Sequence, residues 1–350
     1  MSIVKKHFGN LQDGSQVDLF TLTNSNNMKV GILNYGGTVV SIEVPDKNGK
    51  FDDVALGYDT IEKYCKNTCY FGALIGRHGN RIEDSKFELN GKVYNLAVND
   101  GKNHLHGGIK GFDKVIWKAE PSTDGKSLKL TYTSPDGEEN YPGNLDVTVT
   151  YSLTDENELK LDYFAVSDKD TVINLTNHTY FNLAGHASGD VLKHQMMINA
   201  DKFTVINNEG IPTGEIRDVK GTPLDFTELT EIGVGIDSTY EQMICGKGYD
   251  HNWVLKVSGK KPEKAAEVYC SETGRLMEVF TTKPGVQFYS GNFVTKHEGK
   301  NGAIYGKRGG LCLETQFFPN AMKHKNFPSP ILKAGEEYKY TTIYKFSTVK

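Results

Sequence analysis

The sequence predicts an all-β fold, a large antiparallel β-sandwich with a few short helices. Three observations predict it: short apolar or alternating segments recur along nearly the whole chain, turn-forming clusters separate them, and helical periodicity is sparse. The composition agrees, with 37 Gly, 18 Tyr and 17 Phe in 350 residues, a chain rich in turn-formers and β-formers.

Taken in order, "VDLFTL", "KVGILNY" and "TVVSIEV" read as strands near the start of the chain. "SLKLTYT", "LDVTVTYSL" and "LKLDYFAV" follow in the middle, then "HNWVLKV", "RLMEVFTT" and "GVQFYSGNF". Between strands, "DKNGK", "LNGKV", "SPDGE", "TDEN" and "AGEE" supply the Gly, Asn and Asp that tight turns need. Only "DTIEKYCKN" after Gly57 and "TELTEIGVGI" from Thr227 carry helical spacing, a turn or two each. No repeat, low-complexity tract or Pro-rich linker interrupts the pattern, so residues 1–350 are expected to form a single domain.

Net charge is −4 and no run of Lys or Arg could track a phosphate backbone, which argues against nucleic acid as a partner. The first twenty residues hold no apolar stretch of signal-peptide length, and no later segment reaches the length of a membrane span. The expectation is a cytoplasmic protein with no membrane partner. Five scattered cysteines (Cys65, Cys69, Cys245, Cys270 and Cys312) do not suggest a disulfide framework, and reduced thiols are expected. Cys65 and Cys69 lie four apart without a second pair to complete a metal site.

Five stretches carry candidate chemistry. In "IGRHGNRI", Arg77, His78, Asn80 and Arg81 sit between glycines, where backbone can approach a ligand and an arginine fork can bind its oxygens; a plain surface loop has the same texture. In "NHLHGGIKGFDKVIW", His104 and His106 lie two apart, on one face of a strand. That spacing occurs in metal sites, but no further ligand cluster joins it, so His106 is read as a donor to a ligand oxygen and His104 as a turn histidine.

In "INLTNHTYFNLAG", strand alternation puts Asn174, Thr176, His178, Tyr180 and Asn182 on one face, a polar row suited to a ligand with many hydroxyls. An ordinary solvated sheet face would look the same. Two sequons overlap there, Asn174-Leu-Thr176 and Asn177-His-Thr179, in a strand-like context that does not suit glycosylation.

"GYDHNWVL" places Asp250 at a turn, where it could bridge two hydroxyls or cap the turn. In "GGLCLETQFFP", Glu314 is a carboxylate inside an apolar strand. Burial there would raise its pKa and make it a stronger base, unless an arginine satisfies it structurally.

Together these segments, with "GVQFYSGNF", resemble the aldose 1-epimerase (galactose mutarotase) family, in the family's order and from about residue 30 to about 330. The resemblance implies a galactose-mutarotase-type β-sandwich that interconverts α and β anomers of free hexoses such as D-galactose and D-glucose. It implies no cofactor, no metal and a small aldose sugar as the partner; a monomer is the default. It assigns the general base to Glu314 and the general acid to His178, with substrate contacts from Asn80, Arg81, His106, Asp250 and Gln287. The departure is His78, where the family pattern carries an apolar residue.

Anomerisation opens a hemiacetal, which needs one group to take the C1 hydroxyl proton and another to protonate the ring oxygen. Glu314 as carboxylate and His178 as imidazolium would fill those roles. A glycoside hydrolase would instead need paired carboxylates, for which Glu314 and Asp250 are the candidates. A carbohydrate-binding protein would need neither, and a hexose-6-phosphate 1-epimerase would need a cationic pocket, to which Arg77 could contribute.

Overall fold

The computed structural model describes residues 1–349. Among these, three larger sheets dominate. Strands Ser2–Asn10, Gln16–Thr23, Lys29–Leu33, Val39–Pro45 and Phe51–Asp53 form an antiparallel meander at the N-terminus. A nine-stranded antiparallel sheet runs from Lys118–Pro121 through Ser127–Ser134, Leu145–Leu153 and Glu158–Ser167 to the long strand Glu337–Thr348. It continues through Arg275–Thr281 and Glu263–Cys270 to its far edge. A five-stranded sheet orders Pro212–Asp218, Lys202–Ile206, Asp250–Val254, Gly285–Tyr289 and Cys312–Gln316. The expected all-β architecture is what the chain adopts.

The strands form where alternation predicts. In Leu145–Leu153, the residues Leu145, Val147, Val149, Tyr151 and Leu153 are buried while those between them are not. The "TDEN" turn returns the chain into Glu158–Ser167, with Asn157 in the left-handed region (φ 60°) that such a turn requires. Both expected helical stretches are short helices, Ile61–Cys65 and Ile232–Gly235. A third, Glu241–Gly246, was not expected. Six residues are too few to establish a period, and it is held by Gln242, whose side chain bonds both backbone groups of Ile206.

The segment Ile173–Gly185 departs from the expected strand. Only Thr176–Asn177 pairs in a regular ladder, and residues 173–183 are all buried, so no solvated face exists. Its asparagines replace the missing ladder. Asn174 donates to the carbonyls of Gly79 and Phe317 and accepts from the Phe317 amide; Asn177 donates to Gly72; Asn182 donates to Gly189 and Gly309. These amides knit a buried crossing segment to its neighbours rather than facing a ligand, and neither sequon is accessible.

The five-stranded sheet positions the site. One of its faces presents Trp253, Val286, Phe288 and Leu313 to the main core. Register puts Asp250 beside Tyr289 and Tyr289 beside Cys312, then Asn252 beside Gln287 and Gln287 beside Glu314. Both rungs therefore lie on the opposite, polar face.

Candidate active site

Glu314 stands on that polar face, 2% exposed, and His178, 4% exposed, reaches it from the buried crossing segment. The backbone of His178 is fixed on both sides, its amide donating to Ala73 and its carbonyl accepting from Gly72. Its Nε2 lies 3.5 Å from Glu314 Oε1. Glu314 Oε2 is buried and has no hydrogen-bond partner among the described residues.

Arg81 lies in one of two short antiparallel strands, Arg81–Ile82 and His104–Leu105, with Asn80 just before the first and His106 just after the second. Asn80 and His106 both adopt left-handed backbone (φ 64° and 51°), which turns them out of the ladder toward the cleft. The Asn80 amide donates to His106 Nδ1 at 3.1 Å, so the neutral ring carries its proton on Nε2. Gly107 makes this turn possible: it has φ 85°, and a Cβ there would lie 1.8 Å from the Gly76 carbonyl oxygen.

His104 and His106 do not share a face, because the strand ends between them. His104 bonds the Ala97 carbonyl and the Tyr141 hydroxyl, each at 2.7 Å, and is structural. Arg77 also points away. Its guanidinium donates to Ser134 Oγ and to the carbonyls of Ser134, Pro135 and Pro142, which leaves it no role in ligand binding. His78 is fully buried; apart from the Gly79 backbone beside it, neither ring nitrogen has a partner among the described residues. Burial holds its pKa down at about 3, so it fills an apolar position as a neutral ring.

A cavity of about 270 Å³ gathers Asn80, Arg81, His106, His178, Asp250 and Glu314. Gln287 is not among its lining residues. Its amide donates to Asp250 Oδ1 at 2.7 Å and its carbonyl accepts from Gln316 at 3.2 Å, so it stands behind Asp250. Arg81 is held by Asp100 at 2.8 Å and approaches Asp250 at 3.7 Å. Asp100 and Tyr70 line the cavity unannounced by the sequence reading; Tyr70 packs edge-on to His106 at 4.7 Å. Tyr70 lies six residues before the Gly76 that opens "GRHGNRI", in the apolar run "YFGALIG", and no local pattern marks it as a site residue.

Burial governs the protonation of the pair. It raises the Glu314 carboxyl well above its ordinary range, reinforced by Asp250 and opposed by Arg81. It lowers His178 to about 4. Burial therefore favours the neutral form of each group over its ion.

His106, His178 and Glu314 also bring candidate ligand atoms within 4.8 Å of one another, close enough for a metal ion. The donor set does not fit one. His106 Nδ1 already accepts from Asn80 and its Nε2 carries the hydrogen, so a metal would have to break that buried bond.

The aldose 1-epimerase family model matches residues 18–345. The chain belongs to the aldose 1-epimerase family. As a member it is an isomerase that acts on aldose sugars. It is 44% identical to the galactose mutarotase of Sus scrofa, with 99% of each chain covered. It is 37% identical to the aldose 1-epimerase of Escherichia coli K12 over 95% of this chain and 96% of that one. The solved structure of a galactose 1-epimerase from Lactobacillus acidophilus superposes with a TM-score of 0.86 at 30% identity, with both chains fully covered. In this epimerase family member no helix among the described residues is long and apolar enough to cross a membrane.

Proposed function

We propose that the chain interconverts the α and β anomers of free hexoses such as D-galactose and D-glucose, with Glu314 as general base and His178 as general acid. The observation that carries this reading is the buried approach of His178 Nε2 to Glu314 Oε1, 3.5 Å apart on the wall of a sugar-sized cavity.

The reactive form differs from the resting one by the position of a single proton. When the sugar's hydroxyls reach the unpartnered Oε2 and Arg81 favours the anion, that proton moves from Glu314 to His178. Glu314 then takes the C1 hydroxyl proton, the C1–ring oxygen bond breaks as C1=O forms, and His178 protonates the ring oxygen. With the open-chain aldehyde bound, the pair is again a carboxylic acid beside a neutral imidazole. Rotation about C1–C2 and the reverse proton transfers close the ring on the other face of the carbonyl. Two positioned proton transfers, each worth roughly 10² to 10⁴-fold, suffice for catalysis without further groups.

Arg81, His106 and Asp250 orient the hydroxyls in this reading, with Nε2–H of His106 as a donor and Asp250 as an acceptor. Among the described residues lining the cavity, Arg81 is the one Lys or Arg, and it is engaged by Asp100 and Asp250, which favours free hexoses over hexose 6-phosphates. A single domain is supported by a hydrophobic core that draws on residues from Phe20 to Phe346. A cytoplasmic monomer completes the proposal, and sedimentation tests the oligomeric part. The deciding experiment is polarimetry of freshly dissolved α-D-galactose and α-D-glucose. Acceleration by the wild type supports the reading, and an unchanged rate for both sugars sinks it.

A further inference from the structure

Cys312 and Glu314 are two residues apart on one strand and so share a face, and the His178 ring lies across both. Its Nε2 is 3.5 Å from Glu314 Oε1 and its Nδ1 is 3.5 Å from Cys312 Sγ. The anomerisation scheme uses the Nε2 side alone. The Nδ1 side meets a thiol that is fully buried, and burial with Glu314 and Asp250 nearby pushes that thiol well above its ordinary pKa. It therefore stays an S–H across neutral pH, with the sulfur lone pairs open to an imidazole N–H.

Other groups around the ring cannot replace it. His106 packs edge-on at 5.1 Å, Tyr180 lies at 5.1 Å, Tyr70 at 5.8 Å and Tyr289 at 6.4 Å between ring centroids. The charges near the pair are Arg81 and Asp250, which act on Glu314; Cys69 lies toward Cys312.

Resting on the proposed mechanism for its catalytic consequence, we propose that Cys312 is a positioning residue. Its sulfur accepts from His178 Nδ1–H, which fixes the tautomer that leaves the Nε2 lone pair facing Glu314, ready to take the Glu314 proton. Sulfur is a weak acceptor, so the imidazolium is poorly stabilised and gives its proton up readily. A carboxylate or hydroxyl in the same place would hold it more firmly.

The test joins ¹⁵N NMR of the His178 ring in the sugar-free wild type with kinetics of Cys312→Ala, Cys312→Ser and Cys312→Asp. The expected result is a single Nδ1–H tautomer in the wild type and a mixture in Cys312→Ala, with kcat down roughly three- to tenfold, the worth of one weak hydrogen bond, and KM unchanged. Cys312→Ser should keep the tautomer, and both it and Cys312→Asp should move the acid limb of the kcat profile to higher pH, Asp further. A wild-type ring protonated on Nε2, or Cys312→Ala with unchanged tautomer and pH profile, overturns the proposal. The wild-type spectrum needs no variant to fold and no activity. Should Glu314→Gln and His178→Asn retain activity, the mechanism fails while the spectrum still decides the role of the thiol.

Discussion

Gln287 donates its side-chain amide hydrogen to Asp250 Oδ1 across 2.7 Å from the neighbouring strand, with Gln316 holding its carbonyl in turn. The family resemblance makes Gln287 a substrate contact; the geometry makes it a support for Asp250. Gln287→Ala should therefore act through Asp250 and raise KM more than it lowers kcat. The expected loss in kcat/KM is about ten- to a hundredfold, the range for a hydrogen bond to a charged group. A drop confined to kcat would instead place Gln287 at the reacting atoms.

Glu314→Gln and His178→Asn keep shape and remove the proposed proton-transfer function. Each should slow anomerisation by roughly 10² to 10⁴-fold by polarimetry while leaving the circular dichroism spectrum unchanged. In the proposed mechanism the two groups exchange one proton and act as a unit, so the double variant should lose little more than the worse single one.

Arg77 should prove structural despite its place in "GRHGNRI". Replacing it with Met abolishes bonds to Ser134, Pro135 and Pro142 inside the fold. Urea denaturation is expected to show a loss of at least about 2 kcal/mol. The folded fraction should keep kcat/KM within about a factor of two, which is the size of effect expected when no transition-state contact is removed. Large kinetic damage without a stability change would return Arg77 to the ligand.

His78 should make the fold acid-sensitive. Burial lowers it from the ordinary 6.5 to about 3. The unfolded chain thus binds the extra proton first as pH falls, and stability that is complete above about 6.5 is lost progressively toward 3. At pH 5 this one group costs about 2 kcal/mol. His78→Leu should flatten the slope of the urea midpoint between pH 7 and pH 5 and leave stability at pH 7 unchanged or higher, since no hydrogen bond to another side chain is sacrificed. Parallel slopes for the two proteins would sink the idea.

The sheets were legible because their strands bury one side and expose the other, as in Leu145–Leu153, so period-2 patterning survives in the composition of each strand. Glu314 was legible for a different reason, as a lone carboxylate in an apolar run that is buried on both sides. Ile173–Gly185 was not, because a segment buried on all sides has no polar face to mark, and its asparagines serve neighbours from Gly72 to Phe317 that no local pattern reveals. His104 and Arg77 misled for a related reason: spacing fixes where a residue starts, while the left-handed turn at His106 and the carbonyls around Arg77 fix where side chains end. The protonation of the Glu314–His178 pair was out of reach, since it depends on burial supplied by elements far apart in sequence.

The cross-strand rungs that set Asp250 beside Tyr289 and Cys312, and Asn252 beside Gln287 and Glu314, behave like a reading frame. A substitution changes one letter of it. Losing or gaining a single residue within Gly285–Tyr289 would turn Gln287 toward the side of Trp253 and swing Phe288 into the cleft, exchanging every face downstream in that strand. A change of two residues would restore the faces. An insertion or deletion is therefore expected to be tolerated in the turns, where the frame is not read.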